Sequence, residues 1–360
     1  MKIRMTLGGV RLCAAVSLSA LLAAYAAPAA ATPGVGVLQT LYTFTAANGC
    51  TPLTAMTLGS DGNLYGTTEY GGANSVGAIY KLTPSGTQAA LYSFDGSIGE
   101  HPVSGLFQDS SGNFYGTVGP TNVSIPGGIY KFSTDGTVSI FAPDISTNSP
   151  LIQGRDGNFY VPGFSNGNGA VFKITPGGTA AVVASLSGYS SISTQSLVQD
   201  SSGNLYGTTS AGGTSGVGSV FELSLSGTLT TTASFNGANG DNPTGLIVGS
   251  DGNFYGTTSN GGSNGYGTAF RVTPGGGTVT TVASFTAATG EPRTALALGG
   301  DGNFYGSTTQ GLFQLAPGGT LTLLSSQTST APMAWDPTAT CMVRRAPTAS
   351  MHQIAVISSS

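Results

Sequence analysis

A five-residue signature recurs six times along this chain at nearly even spacing. It reads Asp or Ser, Gly, Asn, Leu or Phe, and Tyr, and its glycines lie at positions 62, 112, 157, 203, 252 and 302. The intervals between them are 50, 45, 46, 49 and 50 residues. Self-similarity at a fixed period of this length indicates a repeat architecture, in which each unit buries its apolar surface against its neighbours.

Each unit carries four short apolar runs separated by turns rich in Gly, Ser and Pro. In the first unit these runs cover residues 53–58, 63–68, 78–82 and 89–94, which we name strands a, b, c and d. Four short strands in one unit are typical of a β-propeller blade. With 57 glycines in 360 residues and only 7% charged residues, the composition suits stacked sheets buried on both faces. We therefore predict an all-β propeller of four-stranded blades.

The acidic residue and the glycine of the signature lie between strands a and b. Asp61 and Gly62 predict a two-residue hairpin turn, since such turns need positive φ and favour Asp-Gly. In the second and fourth units the pair is Ser-Gly, and Asp109 or Asp200 stands two positions before the serine. A calcium site is the alternative, but each loop supplies one carboxylate where Ca²⁺ takes about six to eight oxygens. We interpret these positions as turns.

The last two residues of the signature should point to opposite faces of strand b, because strand side chains alternate. Both faces of a blade press against neighbouring blades, so we predict that this aromatic ladder belongs to the core. A sugar-binding channel lined by the tyrosines is the alternative, and recurrence in every unit argues against it. The tyrosines are Tyr65, Tyr115, Tyr160, Tyr206, Tyr255 and Tyr305.

Residues 1–31 differ from the repeats and read as a secretory signal peptide. Lys2, Arg4 and Arg11 precede an apolar stretch, and three alanines at 29–31 offer a cleavage site. A membrane anchor is the weaker interpretation because the apolar run is short for a span. Removal of this segment leaves eight basic against 15 acidic residues. We expect an acidic protein that is secreted, periplasmic or on the bacterial cell surface, without a stable membrane span, and a poor nucleic-acid binder.

Several units share a longer core, Asp-Gly-Asn-(Leu/Phe)-Tyr-Gly-Thr-Thr, followed by Gly-Gly and then Gly-(Ser/Thr)-(Val/Ala)-Phe-(Lys/Arg)-(Leu/Val)-Thr-Pro, clearest over 251–274. This core resembles the tandem GloVer (Gloeo/Verruco) repeat of exported bacterial choice-of-anchor proteins. The resemblance covers residues 37 to about 325. It implies an extracellular or surface β-propeller and transfers no catalytic residue. A weaker similarity runs to streptogramin-lyase and gluconolactonase-like propellers, whose usual Trp is Tyr here and whose His and Glu cluster this chain lacks.

The number of blades depends on residues 37–44, which resemble the strand d of other units but precede the first strand a. Propellers often complete their last blade with an outer strand from the other terminus, which removes an open sheet edge. We predict seven blades, with six whole units and a closing blade that uses this strand. Six closed blades are the alternative. The domain boundaries on this interpretation are 1–31 for the signal peptide, 32–326 for the propeller repeats and 327–360 for the tail.

The tail, 327–360, lacks the repeat pattern as written. Read with codon boundaries one base upstream, residues 335–345 permit Gly-Ser-Asp-Gly-Asn-Leu-Tyr-Gly-Thr-Thr, which is the sequence of residues 59–68. We interpret the tail as a frameshifted seventh repeat, and a naturally degenerate final blade is the alternative. Cys50 and Cys341 could form a disulfide in an exported protein, but a frameshift would make Cys341 accidental.

The candidate site lies where the b-to-c and d-to-a loops meet. Carbohydrate recognition uses carboxylates, planar amides and aromatic rings, and these loops carry all three, although solvated loops share that composition. His101 is the strongest deviation from the repeat pattern. The candidate ligand-binding residues are Glu69, Tyr70, Glu100, His101, Asp241, Asn260, Tyr266, Glu291 and Arg293.

Three functions are compatible with this inventory. The first is a binding module that recognises a carbohydrate or another surface protein through this face. The second is a lyase or hydrolase, with Glu100 and Glu291 as acid and base or with Glu100 and His101 holding a divalent ion. The third is a purely structural surface protein. We favour binding and assign no catalytic residue, no resident metal and no cofactor; the oligomeric state stays open.

Overall fold

The computed structural model describes residues 10–11, 37–44, 52, 56–119, 127–186, 197–325, 334–335, 341–345 and 352–359. Six antiparallel sheets follow one another along the chain between residues 57 and 325. In this described part of the chain, no helix is long and apolar enough to cross a membrane. The six sheets are six four-stranded blades. The sequence predicted seven blades, with six as the alternative, and six are shown.

Each blade is an antiparallel meander of strands a, b, c and d, with neighbouring strands paired in that order. The innermost strands a are Thr57–Leu58, Phe107–Gln108, Ile152–Gln153, Val198–Gln199, Ile247–Val248 and Ala297–Leu298. Strands b are Leu64–Thr68, Phe114–Gly119, Phe159–Ser165, Leu205–Thr209, Phe254–Asn260 and Phe304–Thr308. Strands c are Ala78–Leu82, Gly128–Phe132, Asn168–Ile174, Ser219–Leu223, Thr268–Val272 and Gly311–Leu315. Strands d are Gln88–Ser93, Val138–Pro143, Ala180–Ser185, Leu229–Ser234, Thr280–Ser284 and Leu321–Ser325.

The predicted strands of the first unit match these bounds to within one residue except for strand a, which is only two residues long. Two short strands extend the pattern, since Glu100–Pro102 and Asp241–Pro243 pair with the distal ends of strand b in blades 2 and 5. The meander places the a–b and c–d turns at one end of every blade, which we call the turn face. The b–c and d–a loops lie at the other end, the loop face.

Strands near the two ends of the chain form a further sheet. Val37–Phe44 pairs antiparallel with His352–Ser359, which pairs on its other side with Cys341–Arg345. Ala334–Trp335 pairs with Cys341–Arg345, and Val10–Arg11 pairs with the end of His352–Ser359. Cys50, the signal-peptide cleavage site and most of the tail lie outside the described residues.

The aspartate of the signature organises the a–b turn through its side chain. In blade 1, Asp61 accepts hydrogen bonds from the Asn63 backbone N–H at 3.1 Å, from Asn63 Nδ2 at 2.7 Å and from Tyr65 Oη at 2.9 Å. Gly59 and Gly62 close the turn, with Gly62 N donating to Gly59 O, and only Gly62 has positive φ, at 78°. The predicted two-residue turn is therefore wrong. The hairpin is longer, and the aspartate serves as an acceptor rather than as a residue with positive φ.

In blades 2 and 4 an aspartate at a different backbone position supplies the carboxylate that accepts these hydrogen bonds. Asp109 stands where blade 1 has Gly59, and it accepts from Ser111 N, Asn113 N and Tyr115 Oη at 2.9, 2.9 and 3.0 Å. Asp200 makes the corresponding contacts in blade 4. Each blade thus carries either Gly and Asp or Asp and Ser at these two positions, and never both aspartates. The tyrosine hydroxyl has a carboxylate partner in both arrangements.

Aromatic contacts join neighbouring blades, which confirms the predicted role of the aromatic ladder. The Tyr65 ring of blade 1 lies 4.3 Å from the Phe114 ring of blade 2, and Tyr255 and Phe304 repeat this contact between blades 5 and 6 at 4.3 Å. A second contact runs from the Phe that follows strand d to the aromatic residue of the next strand c. It joins Phe94 to Tyr130, Phe235 to Phe270 and Phe285 to Phe313.

The exchange of carboxylate positions can be tested in blade 5 with Asp251 and Gly249. We expect Asp251→Ser to cost about 1–3 kcal/mol of unfolding free energy, because it leaves the Tyr255 hydroxyl and the Asn253 donors without their acceptor. We expect Gly249→Asp, added to Asp251→Ser, to recover at least half of that loss. Denaturant unfolding of the single and double variants measures the coupling.

Gly249→Asp alone is the matched control for this pair. A Cβ at Gly249 would lie 2.8 Å from Asp251 Oδ1 and 2.6 Å from the Tyr255 ring, so the single variant should destabilise the fold. If the double variant loses as much unfolding free energy as the two single variants together, the two positions are not alternative sites for one carboxylate.

Tyr130 offers a second stability test, because its fully buried hydroxyl has no hydrogen-bond partner among the described residues. Blades 3 to 6 place phenylalanine at this position of strand c. We expect Tyr130→Phe to stabilise the protein by about 1–2 kcal/mol, because an unsatisfied buried hydroxyl is removed and the ring is kept. Thermal or denaturant unfolding measures the change, and a loss of stability would mean that the hydroxyl is hydrogen-bonded in solution.

Candidate functional site

Four of the nine candidate residues meet on the loop face at the junction of blades 1 and 2. Glu69 and Tyr70 follow strand b of blade 1, whereas Glu100 and His101 belong to the short strand that pairs with blade 2. The backbone N–H of His101 donates to the carbonyl oxygen of Val76 in the blade 1 loop, at 2.9 Å. This bond holds the two loops together, so the cluster is set by backbone contacts between adjacent blades. We call Glu69, Tyr70, Glu100 and His101 the junction cluster.

The His101 side chain contacts the other three residues of the junction cluster. Its Nδ1 lies 3.0 Å from the backbone carbonyl oxygen of Glu69. Because a carbonyl can only accept, Nδ1 carries the proton and Nε2 faces Glu100 Oε1 at 3.9 Å. The imidazole also packs on Tyr70, with ring centroids 4.7 Å apart and planes inclined by 56°. The hydrogen bond to Glu69 and the contact with Tyr70 thus hold the side chain in place.

The backbone of His101 lies in the left-handed region, with φ of 52°. Non-glycine residues are uncommon there, and Asn, Asp and His are the ones found most often. The corresponding residue of blade 5 is Asn242, with φ of 56°, whose backbone N–H donates to Val217 as that of His101 does to Val76. The repeat therefore keeps this conformation and changes the side chain.

Exposure in the junction cluster is concentrated in Tyr70. Its side chain is 43% exposed, which makes it one of the exposed large apolar residues of the described chain. The His101 and Glu100 side chains are 32% and 23% exposed. An accessible aromatic ring packed on an imidazole and near the Glu100 carboxylate provides one apolar surface and hydrogen-bond acceptors.

The candidates from blade 5 form a separate group. Asp241 and Asn260 are direct register partners at the distal end of strand b. Asn260 is exposed, and its amide donates to Ser259 Oγ at 3.4 Å. Tyr266 packs against the buried cluster between blades 5 and 6, so core packing accounts for much of its ring. This group presents an acid and an amide with less exposed aromatic surface than Tyr70 offers.

Glu291 and Arg293 form the third group, in blade 6. Their side chains make an exposed ion pair of 3.5 Å, and the Glu291 backbone N–H donates to Thr309 Oγ1 at 3.1 Å. Contacts thus bring four of the nine candidates together in the junction cluster and pair Asp241 with Asn260 and Glu291 with Arg293. Glu100 and Glu291, considered from the sequence as an acid and base, belong to blades 2 and 6.

Structural roles explain part of the asparagine content of the loop face. Asn74 Nδ2 donates to the carbonyl oxygen of Phe94 at 2.9 Å, and Asn264 Nδ2 donates to that of Phe285 at 3.2 Å. Within the described ranges, no three His, Cys, Asp or Glu side chains lie close enough together to hold a metal ion. The junction cluster differs from these asparagines because it brings together an exposed aromatic ring, an imidazole and a carboxylate.

A cleft on the turn face, also between blades 1 and 2, lies apart from the nine candidate residues predicted from the sequence. It opens beside Asp61 and Tyr65 of blade 1 and Gln108, Thr134 and Asp135 of blade 2. The sequence feature that could have indicated this cleft is in the c–d turn of the second unit. There, Thr134 occupies the position at which the other units have proline or leucine.

Solved structures similar to this chain include one described as an extracellular domain and two described as lactonases. One is described as the extracellular domain of a hybrid two component system from B. thetaiotaomicron. It is 13% identical in sequence to this chain, with a TM-score of 0.57. The match covers 89% of this chain but only 41% of the length of that structure's chain. Another is described as a 6-phosphogluconolactonase from Bacteroides uniformis, with 16% identity and a TM-score of 0.50 over 75% of this chain and 83% of that one. Likeness at these identities shows the fold alone.

A third similar structure is a gluconolactonase from Xanthomonas campestris, with 13% identity and a TM-score of 0.46 over 99% of both chains. A search of curated proteins gave no match. The model of the Gloeobacter/Verrucomicrobia repeat matches residues 29–160 and 146–340, which confirms the resemblance drawn from the repeat core. The chain therefore belongs to the Gloeobacter/Verrucomicrobia repeat family.

Proposed function

We propose that this protein is an exported β-propeller that binds a glycan of the cell surface or its surroundings through the loop face. The observation that carries the proposal is the exposed Tyr70 ring packed against the His101 imidazole, which lies 3.9 Å from the Glu100 carboxylate. An aromatic ring can pack against the C–H face of a sugar while carboxylates accept its hydroxyl protons. Binding sites commonly combine such an apolar surface with a few placed polar groups.

The side chain of His101, rather than its backbone, distinguishes this loop, because Asn242 of blade 5 has the same left-handed conformation. A non-glycine residue in the left-handed region costs of order 1–3 kcal/mol, and such residues are found more often at functional sites. Asparagine would relieve part of that cost, as Asn242 shows in blade 5. Retention of histidine at this position is explained if its imidazole supports Tyr70 and faces the ligand.

A surface protein is the second ligand class compatible with the junction cluster, and a lyase or hydrolase is the alternative function. The 3.9 Å approach of His101 Nε2 to Glu100 is the observation that favours catalysis, because a histidine beside a carboxylate can act as a general base. Glu291, the other proposed acid, belongs to the group in blade 6. We therefore favour binding, and turnover of a bound glycan would establish the alternative.

Export is part of the proposal. Residues 1–31 have the basic, apolar and small-residue segments of a signal peptide. The acidic chain that remains has no basic patch for nucleic acid. Secretion, the periplasm or the cell surface would bring the loop face into contact with extracellular or envelope glycans.

We also propose a seventh blade that closes the ring. Phe44 is fully buried, and its ring lies 4.8 Å from Tyr80, as Phe94 lies 5.3 Å from Tyr130. This contact supports our proposal that Val37–Phe44 serves as a strand d preceding blade 1. The strands that accompany it come from the tail, which we propose to be a frameshifted seventh repeat.

Substitution of the junction cluster tests the binding proposal. We expect the exported chain to bind a glycan saturably on a glycan array and in calorimetric titration. Tyr70→Ala should weaken that binding at least tenfold, about 1.4 kcal/mol, because the stacking surface is lost. His101→Asn should also weaken binding, while the thermal midpoint stays equal or rises because asparagine suits φ of 52°.

Val182→Ala is the control, since Val182 is exposed on strand d of blade 3, away from the loop face. It should leave the affinity unchanged. Equal affinities for the wild type, Tyr70→Ala and His101→Asn would contradict the assignment of the junction cluster. The absence of saturable binding to any glycan would favour a protein ligand or a structural role.

The coding DNA tests the seventh blade. We expect the reading frame one base upstream to continue from the tail into an uninterrupted repeat with the sequence of residues 59–68. The restored chain should then have a higher thermal midpoint, because a regular strand b would complete the closing sheet. An upstream frame that stops at once would identify the tail as a degenerate final blade, and it would make a disulfide between Cys50 and Cys341 the next test.

A further inference from the structure

The His101 imidazole and the Glu100 carboxylate of the junction cluster face each other as two acceptors. The Nδ1 proton of His101 is directed at the backbone carbonyl oxygen of Glu69, with 3.0 Å between Nδ1 and that oxygen. In the neutral imidazole the other ring nitrogen, Nε2, then carries a lone pair and can only accept. Nε2 lies 3.9 Å from Glu100 Oε1, and an ionised carboxylate likewise only accepts. A bound donor group can supply the hydrogen that this pair lacks.

The distance between these two acceptors fits a donor that carries more than one hydrogen. A nitrogen placed about 2.8–2.9 Å from each atom would make a charge-assisted hydrogen bond to the carboxylate and a second hydrogen bond to the imidazole. A sugar hydroxyl has one hydrogen and can serve only one of the two acceptors at a time. A primary ammonium group has three hydrogens and can serve both.

Tyr70 is a second feature of the junction cluster that suits a cation. Its ring lies with its centroid 4.7 Å from that of His101, and the residue is 43% exposed. The electron-rich face of an accessible tyrosine ring attracts a ligand cation. An ammonium group held by His101 and Glu100 would therefore have this ring beside the same imidazole.

The charge of the whole loop face favours the same kind of ligand. The b–c and d–a segments of the described blades carry six carboxylates, all at least partly exposed: Glu69, Asp95, Glu100, Asp144, Asp241 and Glu291. The one basic residue in these described segments is Arg293, which is paired with Glu291 at 3.5 Å. The stretches 120–126 and 187–196, outside the described residues, add no charged residue in sequence. An anionic sugar would be repelled by such a face, and a cationic one would be attracted.

The other basic residues of the blades are concentrated at the turn face. Four of them occupy the next-to-last position of strand c, beside the c–d turn, and one lies in the a–b turn of blade 3: Lys81, Lys131, Lys173, Arg271 and Arg155. Lys173 Nζ, for example, lies 3.0 Å from Asp156 Oδ2. Cations therefore accompany the carboxylates of the turn face more closely than those of the loop face.

We propose that the glycan bound by the junction cluster carries free amino groups, so that the ligand is an amino sugar rather than a neutral or acidic one. This inference rests on the proposed glycan-binding function and specifies the ligand of the same site. The protonated amine donates to His101 Nε2 and Glu100 Oε1, and the sugar ring packs against Tyr70. Acetylation of the amine would remove its charge and two of its hydrogens.

Three sugar hexamers that differ in charge test the proposal by calorimetric titration of the full chain at neutral pH and low ionic strength. The probes are a glucosamine hexamer with free amines, the same hexamer fully N-acetylated, and a hexamer of galacturonic acid. We expect the free-amine hexamer to bind at least tenfold tighter than the N-acetylated one, and the acidic hexamer to bind most weakly. Glu100→Gln should weaken the binding of the free-amine hexamer at least tenfold and leave that of the N-acetylated hexamer nearly unchanged.

Asp135→Asn is the matched control, because it removes one exposed carboxylate from the turn face and changes the net charge as Glu100→Gln does. It should leave the affinities for the hexamers unchanged. Added salt should weaken the binding of the free-amine hexamer more than that of the N-acetylated one, because salt screens the attraction between exposed charges. Thermal unfolding should show that each variant folds.

The outcomes separate the class of ligand from glycan binding itself. Equal affinities for the free-amine and N-acetylated hexamers, both weakened by Tyr70→Ala, overturn the amine and leave the proposed function intact. Binding of the free-amine hexamer that Glu100→Gln does not weaken, or that Asp135→Asn weakens as much, is non-specific attraction and also overturns the inference. Polylysine that binds as tightly, with the same dependence on Glu100, would identify a basic protein as the ligand instead. The absence of saturable binding of every hexamer overturns the amino sugar, while the glycan array decides the proposed function.

Discussion

Aromatic contact between successive blades is the interaction on which the rest of this structure depends. A single four-stranded blade has two apolar faces and cannot bury either alone, so stability comes from the stacking of one unit on the next. The Tyr65 and Phe114 pair shows the contact, and the rings involved are almost completely buried. The glycine after the tyrosine belongs to the same arrangement. A Cβ at Gly66 would lie 2.5 Å from Tyr80 Oη, so the strand c ring can cover strand b only where no side chain intervenes.

The buried tyrosines need a partner for their hydroxyl groups, and the turn aspartates supply it. At Asp156, burial alone would raise the pKa, but hydrogen bonds from Asn158, Lys173 and Tyr160 outweigh it and lower the pKa to about 2. A carboxyl with a depressed pKa stabilises the fold at pH values above its unfolded-state pKa, about 4, and that contribution is lost as the pH falls through the folded-state value. The aspartate of the signature thus bonds both the asparagine of the turn and the tyrosine that packs against the next blade. This shared contact explains why Asp, Asn and Tyr recur together.

The sequence predicted the blade architecture because periodic turns and alternating aromatic residues follow directly from stacked sheets. It did not predict the form of the turn, since Asp-Gly suggests a two-residue hairpin until the side-chain bonds of Asp61 are known. Four of the nine site candidates form one cluster, and His101 was recognisable because it breaks the pattern. The cleft was not recognised, because Thr134 is an ordinary turn residue in sequence, and only three-dimensional comparison with Leu225, the residue at this position of blade 4, shows that it leaves space.

Several departures from the repeat lie in blades 1 and 2. Strand c carries Tyr80 and Tyr130 where blades 3 to 6 carry phenylalanine, the loop face carries His101, and the turn face carries Thr134 and Asp135. In a stacked architecture each junction depends mainly on its own contacts, so one junction can change without altering the others. Tyr80 and Tyr130 are fully buried and belong to the packing between blades, but packing gives no reason for the residues that reach solvent, His101, Thr134 and Asp135. Ligand recognition gives such a reason, because a binding site must differ from the repeat that supports it.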